Sequence, residues 1–335
     1  MSCRVWRRLT AGALALVLSP IAAHAECSGK DILGPLSISE PAAHEALFER
    51  AHQVPNAQGL FWRIDKPGVP PSYLFGTYHD TKAVETVPDA VWKAIASARG
   101  AWFEISLAEQ ERLQSDMLTD PMNVIYDLSQ TPLSQRIPAA AKPLLEAALA
   151  ERGIPLEAAE QMRGWMLFAI LGFPACQLRS IQGGEAVMDD QLARYGIESG
   201  VANHGLETYE ESLGALEAMA PDDLTGMMID LGTSLPDEED IHKTMQGLYA
   251  AGETMAIYEF GIWYSEKQGI SGARARSDAF LDSALVMRNR NWMPEIGVAL
   301  AEGNAFVGVG ALHLPGEAGI VELIRGEGYT VTRLD

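Results

Sequence analysis

Positive charge is scarce in this 335-residue chain. It has 25 Lys and Arg against 45 Asp and Glu, a formal charge of −20. Such an acidic surface repels polyanions and argues against nucleic acid as a partner; its plain meaning is solubility. Long apolar runs are also lacking. Beyond the first 25 residues none reaches about eighteen, so no membrane span is expected there. There is no His-Glu-x-x-His, no Gly-x-Ser-x-Gly and no P-loop, which removes three common catalytic frameworks. Tandem repeats and low-complexity linkers are absent as well. Cysteine is limited to Cys3, Cys27 and Cys176.

The N-terminus gives those few cysteines a meaning. Arg4, Arg7 and Arg8 form a basic head, Leu9 to Ile21 is largely apolar, and Ala23-His24-Ala25 is a small-x-small cleavage motif. This pattern reads as a secretory signal peptide over residues 1–25, cleaved after Ala25. Glu26 before Cys27 argues against a lipoprotein site. The expected mature protein is periplasmic or secreted. Loss of the three arginines leaves 22 basic residues against 45 acidic, a charge of about −23. Cys3 leaves too, so Cys27 and Cys176 remain as an even pair in an oxidising compartment, where a disulfide between them is expected.

The rest of the chain reads as α/β. Runs at 59–65 and 72–79 predict strands joined by the Pro/Gly turn "KPGVPP", and "GAWFEIS" (100–106) predicts a third. Helical spacing over "VPDAVWKAIASAR" sets Val91, Ile95 and Ala98 on one face. From about 107 to 300 the signals are mostly helical. "PLLEAALAERG", "AVMDDQLARYG" and "EIGVALAEG" each run to a glycine, a common helix terminator. One short strand candidate, 202–208, interrupts this stretch. The C-terminus returns to strand, helix and strand. The expected architecture is a single domain over 26–335: a central mixed sheet built from both chain ends, surrounded by helices, with a long helical insertion over about 107–300.

Two strands end alike, "YLFGTYHD" (73–80) and "FVGVGALHLPG" (306–316). Each delivers a histidine three residues after a glycine, Gly76 to His79 and Gly310 to His313. Open α/β sheets place their sites at the carboxyl ends of strands, and glycine permits an unusual backbone angle or a close approach. Side by side, these ends would bring two imidazoles across one crevice. Imidazoles with a carboxylate suit a divalent transition metal. Glu104, a carboxylate in the apolar "WFEIS", needs a partner such as a metal or an arginine, and Glu207 has a weaker claim of the same kind. "GVGALHLPG" superficially suggests a dinucleotide fingerprint, but His313 stands where the third glycine belongs. Asp80 would either hold His79 in one tautomer or cap the following helix. His204 and His242 follow no strand–glycine pattern and are expected to be dispensable.

"YLFGTYHDTKAVETVPDAVWKAI", "WFEISL", "HGLETYEESLGAL", "MRNRNWMPEI" and "AFVGVGALHLPGEAGIVELIRGEGYTV" together resemble the TraB/GumN family, over roughly residues 45–335. That family is related to the TIKI secreted metalloproteases and more distantly to ChaN-type and erythromycin-esterase-type proteins. The resemblance implies a metal-dependent hydrolase, peptidase-like, using a manganese- or cobalt-like divalent ion. Carried onto this chain, it marks Gly76, His79, Glu104, Gly310 and His313, with Glu207, Arg288 and Asn289 in play through "GLET" and "RN". His79, Glu104 and His313 would hold the metal. Glu207 would be a general base or a further ligand. Arg288 would stabilise an oxyanion or pair with a carboxylate. The expected substrate is a peptide or another small polar molecule. Two rival readings stand beside this one: a non-catalytic periplasmic protein binding heme, metal or another ligand, and an accessory factor in polysaccharide export.

Overall fold

Period-two burial sorts the strand residues onto two faces of one sheet. The computed structural model describes residues 27–218 and 221–335; the expected leader, 1–25, lies outside them. The strands are β1 (Phe61–Lys66), β2 (Val69–Thr77), β3 (Gly100–Phe103), β4 (Ala202–Gly205), β5 (Ala305–Gly310) and β6 (Thr330–Arg333). Their spatial order is β4-β3-β5-β2-β1-β6. The pairs β4–β3, β3–β5 and β5–β2 are parallel, whereas β2–β1 and β1–β6 are antiparallel. This is the mixed sheet expected from both chain ends, with β4 added at one edge from the helical middle.

On one face Phe61, Phe75, Phe103 and Phe306 pack against the helices Leu33–Ser39, Pro41–His52, Asp89–Ser97, Met188–Glu198, Glu238–Ala250 and Thr254–Lys267. On the other, Trp62, Leu74, Trp102 and Val307 pack against Met287–Glu302 and Ile320–Gly326. The helical middle also gathers a core of its own around Leu133, Leu145, Leu149, Leu167 and Met228. No single helix among the described residues is long and apolar enough to cross a membrane.

Three boundaries differ from the sequence reading. The β1–β2 turn is only Pro67–Gly68, with Gly68 at φ 80°, and Lys66 pairs with Val69. The two prolines after it therefore begin β2 instead of lying in the turn. β3 stops at Phe103, so Glu104 stands just beyond the strand. Gly196 does not end its helix: the helix runs to Glu198 and Gly200, at φ 83°, follows it. Gly196 is buried, and a Cβ there would come 3.3 Å from Ile95; the glycine serves helix packing.

Candidate active site

The register places the proposed residues at one end of the sheet. Thr77 pairs with Gly310 across β2 and β5, and Phe103 pairs with Gly308 and with Gly205 on either side of β3. His79, Glu104, Glu207 and His313 therefore all follow the carboxyl ends of four contiguous parallel strands. Glycine is required here for close approach. A Cβ on Gly76 would lie 2.7 Å from Leu314 Cδ1, and one on Gly308 2.7 Å from the Phe103 ring. A Cβ on Gly310 would lie 3.1 Å from Glu104 Oε1. Neither Gly76 nor Gly310 has a positive φ, so the unusual-angle alternative falls away.

His79 opens onto a cleft of about 320 Å³ that Glu104, Gln110, Asp189, Asp190 and Ser212 also line. Its Nδ1 lies 2.8 Å from Asp189 Oδ2, while Thr77 Oγ1 donates to Asp189 Oδ1 at 2.5 Å. Asp189 comes from the first turn of the helix Met188–Glu198, where the helix dipole favours a carboxylate. The charge of Asp189 raises the His79 imidazole above its usual range, and burial opposes that shift. Asp189 was missed in the sequence because "MDDQ" carries only a helix signal.

His313 ends a short turn after β5 and is buried. Its Nδ1 lies 2.6 Å from Asn289 Oδ1. The Asn289 amide nitrogen donates to the carbonyls of His313 and Ala318 at 3.2 and 2.9 Å. Those two bonds fix which way the amide points, so its oxygen must accept from His313 Nδ1–H. Asn289, 2% exposed, therefore holds the His313 ring in place with all its amide groups engaged. Burial lowers the His313 imidazole to about 3, with Glu104 opposing and Arg288 assisting, which leaves Nε2 as a lone pair. Trp292 packs on its ring at 4.5 Å between centroids.

Glu104 sits between these groups. Its Oε1 accepts from Gly310 N–H at 2.8 Å and stands 3.6 Å from His313 Nε2. Its Oε2 accepts from Arg288 at 2.7 Å. Burial would raise this carboxyl, but Arg288, then the two imidazoles and the Gly310 N–H, outweigh it and hold it well below the usual carboxylate range. Arg288 also donates to Glu207 Oε1 through Nε at 2.9 Å, and Trp292 Nε1 donates to Glu207 Oε2 at 2.9 Å. Both oxygens of Glu207 are committed, so it anchors Arg288 instead of acting as a free base. Of the two roles expected for Arg288, the structure shows the carboxylate pair. It enters its helix through a π turn, Leu281–Val286, the kind of local widening that recurs at functional sites.

Asp80 turns away from His79. It is fully buried, caps the backbone of Lys82 and Ala83, accepts from Gln246 and lies 2.9 Å from His242 Nε2. Its capping role is the one realised. His242 is accordingly not the neutral control that its sequence context suggested. His204 stacks on Trp102 at 4.5 Å, on the other side of β3 from the cleft.

The donor chemistry fits a divalent ion: two imidazoles with Nδ1 occupied by an acceptor, beside an ionised carboxylate. Donors about 2.1 Å from one ion stand about 3–3.5 Å apart, a spacing the 3.6 Å Glu104–His313 pair nearly meets. Among the described residues, however, no three His, Cys, Asp or Glu side chains are gathered closely enough to hold an ion as they stand. Arg288 occupies part of the Glu104 carboxylate instead.

Neither the curated proteins nor the solved structures offer a significant match to this chain. A family model, that of the TraB/PrgY/gumN family, matches residues 60–333. That span is most of the chain and holds every residue of the cleft described above, so the chain belongs to the TraB/PrgY/gumN family.

Proposed function

We propose that this protein is an exported metal-dependent hydrolase, acting on a peptide or a similar small polar substrate at the cleft between His79 and Glu104. One observation carries the reading. Both histidines have Nδ1 tied to an acceptor, Asp189 and Asn289, which is how metal-ligating imidazoles are oriented so that Nε2 is presented. His79, Glu104 and His313 would hold the ion. A divalent ion there would polarise a carbonyl and activate water near neutral pH.

The chain's own residues have separable tasks. Asp189, braced by Thr77, fixes the rotation of His79 at the cleft wall. Asn289 does the same for His313 from within the core. Gly310 N–H and Arg288 keep Glu104 ionised and aimed, and Glu207 with Trp292 hold Arg288 in turn. The leader pattern and the paired cysteines support export.

The deciding experiment measures manganese and cobalt content and peptide-library cleavage for wild type, His79→Ala and His313→Ala. Wild type is expected to retain about one ion and to cleave, and each variant to lose both while its circular dichroism stays unchanged. Wild type without metal, or variants equal to it, would overturn the proposal. Metal retention with no cleavage of any peptide, or a heme absorbance band on reconstitution, would replace the hydrolase by a binding protein.

A further inference from the structure

A second cavity, of about 190 Å³, lies among the helices on the far side of the Tyr78–Asp80 turn from the cleft. Tyr78 lines this cavity while His79, the next residue, lines the cleft. Its walls are mainly apolar, with Leu171, Leu231, Ile241 and Met245 prominent.

Most of its polar groups are already satisfied. Asp230 is paired with Arg276 at 2.7 Å, Glu238 with Arg152 at 2.7 Å, and Tyr264 donates to Asp237 at 2.5 Å. His242, only 6% exposed, is also committed: its Nε2 lies 2.9 Å from Asp80 Oδ2. Two hydroxyls are not: Tyr78 Oη and Ser265 Oγ make no hydrogen bond with the described residues.

Gly261 adds an independent observation. It sits within the helix Thr254–Lys267, where glycine is unfavourable relative to alanine. No close packing demands it, since a Cβ there would meet only Met245 Cε, at 3.9 Å. The missing side chain leaves space in the cavity wall.

We propose that this cavity is a ligand site for a small, neutral, mostly apolar molecule with one hydrogen-bonding end. The paired carboxylates leave the lining without uncompensated charge, so an ionic ligand gains nothing there. The apolar walls take the body of the ligand, and the hydroxyls of Ser265 and Tyr78 take its polar end. The proposal is independent of the hydrolase reading.

N-phenyl-1-naphthylamine, a neutral aromatic amine that fluoresces in apolar surroundings, is the probe. Wild type is expected to bind it saturably at one site per chain, and His79→Ala to bind it equally well. Gly261→Leu, which fills the cavity, is expected to weaken binding at least tenfold with no fall in melting temperature. If Gly261→Leu does not fold, Ser265→Leu on the same wall carries the comparison. Equal binding by wild type and the filled variant, or no saturable binding by wild type, would overturn the assignment.

Discussion

Asp189 decides which nitrogen of His79 faces the cleft, and Asn289 decides it for His313. Removing either acceptor frees the ring to rotate and to carry its proton on the wrong nitrogen. Asp189→Ala and Asn289→Ala should each weaken manganese binding about 10- to 100-fold, as measured by titration calorimetry, while His79 and His313 remain present. Unchanged affinity would show that the carboxylate and the amide serve the fold alone. His242→Ala belongs to the same scale but acts on stability. Breaking a buried pair costs about 3–5 kcal/mol, and Asp80 would keep its bonds from Gln246 and two backbone amides. A loss of about 2–3 kcal/mol in denaturant melts is therefore expected, against almost none for exposed His204→Ala. The ligand candidates were legible because strand–glycine–histidine is a local pattern. Asp189 was not, because its meeting with His79 across 110 residues depends on where a helix docks.

Among the elements, the helix Thr254–Lys267 is fastened by one carboxylate. Glu259, 7% exposed, accepts from Arg50 of the helix Pro41–His52 at 2.8 Å and from Arg274 at 2.8 and 3.0 Å. Burial alone would raise its proton affinity; the arginines outweigh that and lower it below the ordinary value of 4.5. A depressed carboxylate stabilises the fold above its unfolded value, and that contribution is lost as pH falls through the folded value. Glu259→Gln should therefore cost about 1–2 kcal/mol at pH 7, the modest size reflecting two arginines that can turn to water. The gap between variant and wild-type melting temperatures should narrow below pH 4.5 and close once Glu259 protonates. A gap that stays constant down to pH 2 would assign the effect to packing. Helix stops were legible where glycine takes a positive φ, as at Gly153 and Gly303. At Gly196 the same letter marks contact with Ile95, a distinction that only the packed helices make.

At the scale of the whole molecule, the sheet was legible because five of its six strands lie at the two chain ends, the central ones as short apolar runs, and only β4 comes from the helical middle. The order in which they pair, and the separate core of the helical middle, arise from long-range contacts that no local pattern records. The N-terminal segment is where the two ends of that problem meet. Cys27 and Cys176 are bridged, with Cα atoms 5.3 Å apart across 149 residues. The chain after the bridge is clipped to the helix Glu238–Ala250 by Ser28 on Glu239, Lys30 on Asp240 and Ile32 on Thr244. That helix also carries His242 and Gln246, the partners of Asp80, so the tether bears on the turn that presents His79. Closing a loop of this length restricts the unfolded chain by at most about 5 kcal/mol, and bridges commonly contribute about 2–4 kcal/mol. Cys27→Ala is the cleaner variant, because the remaining Cys176 is a buried thiol that packs as a small apolar group. It should lose about 2–4 kcal/mol, and wild type in reductant should melt with it. Denatured, unreduced mature protein should yield no titratable thiol. Two free thiols in protein purified without reductant, or equal melting of oxidised wild type and Cys27→Ala, would show that the bridge does not stabilise this fold.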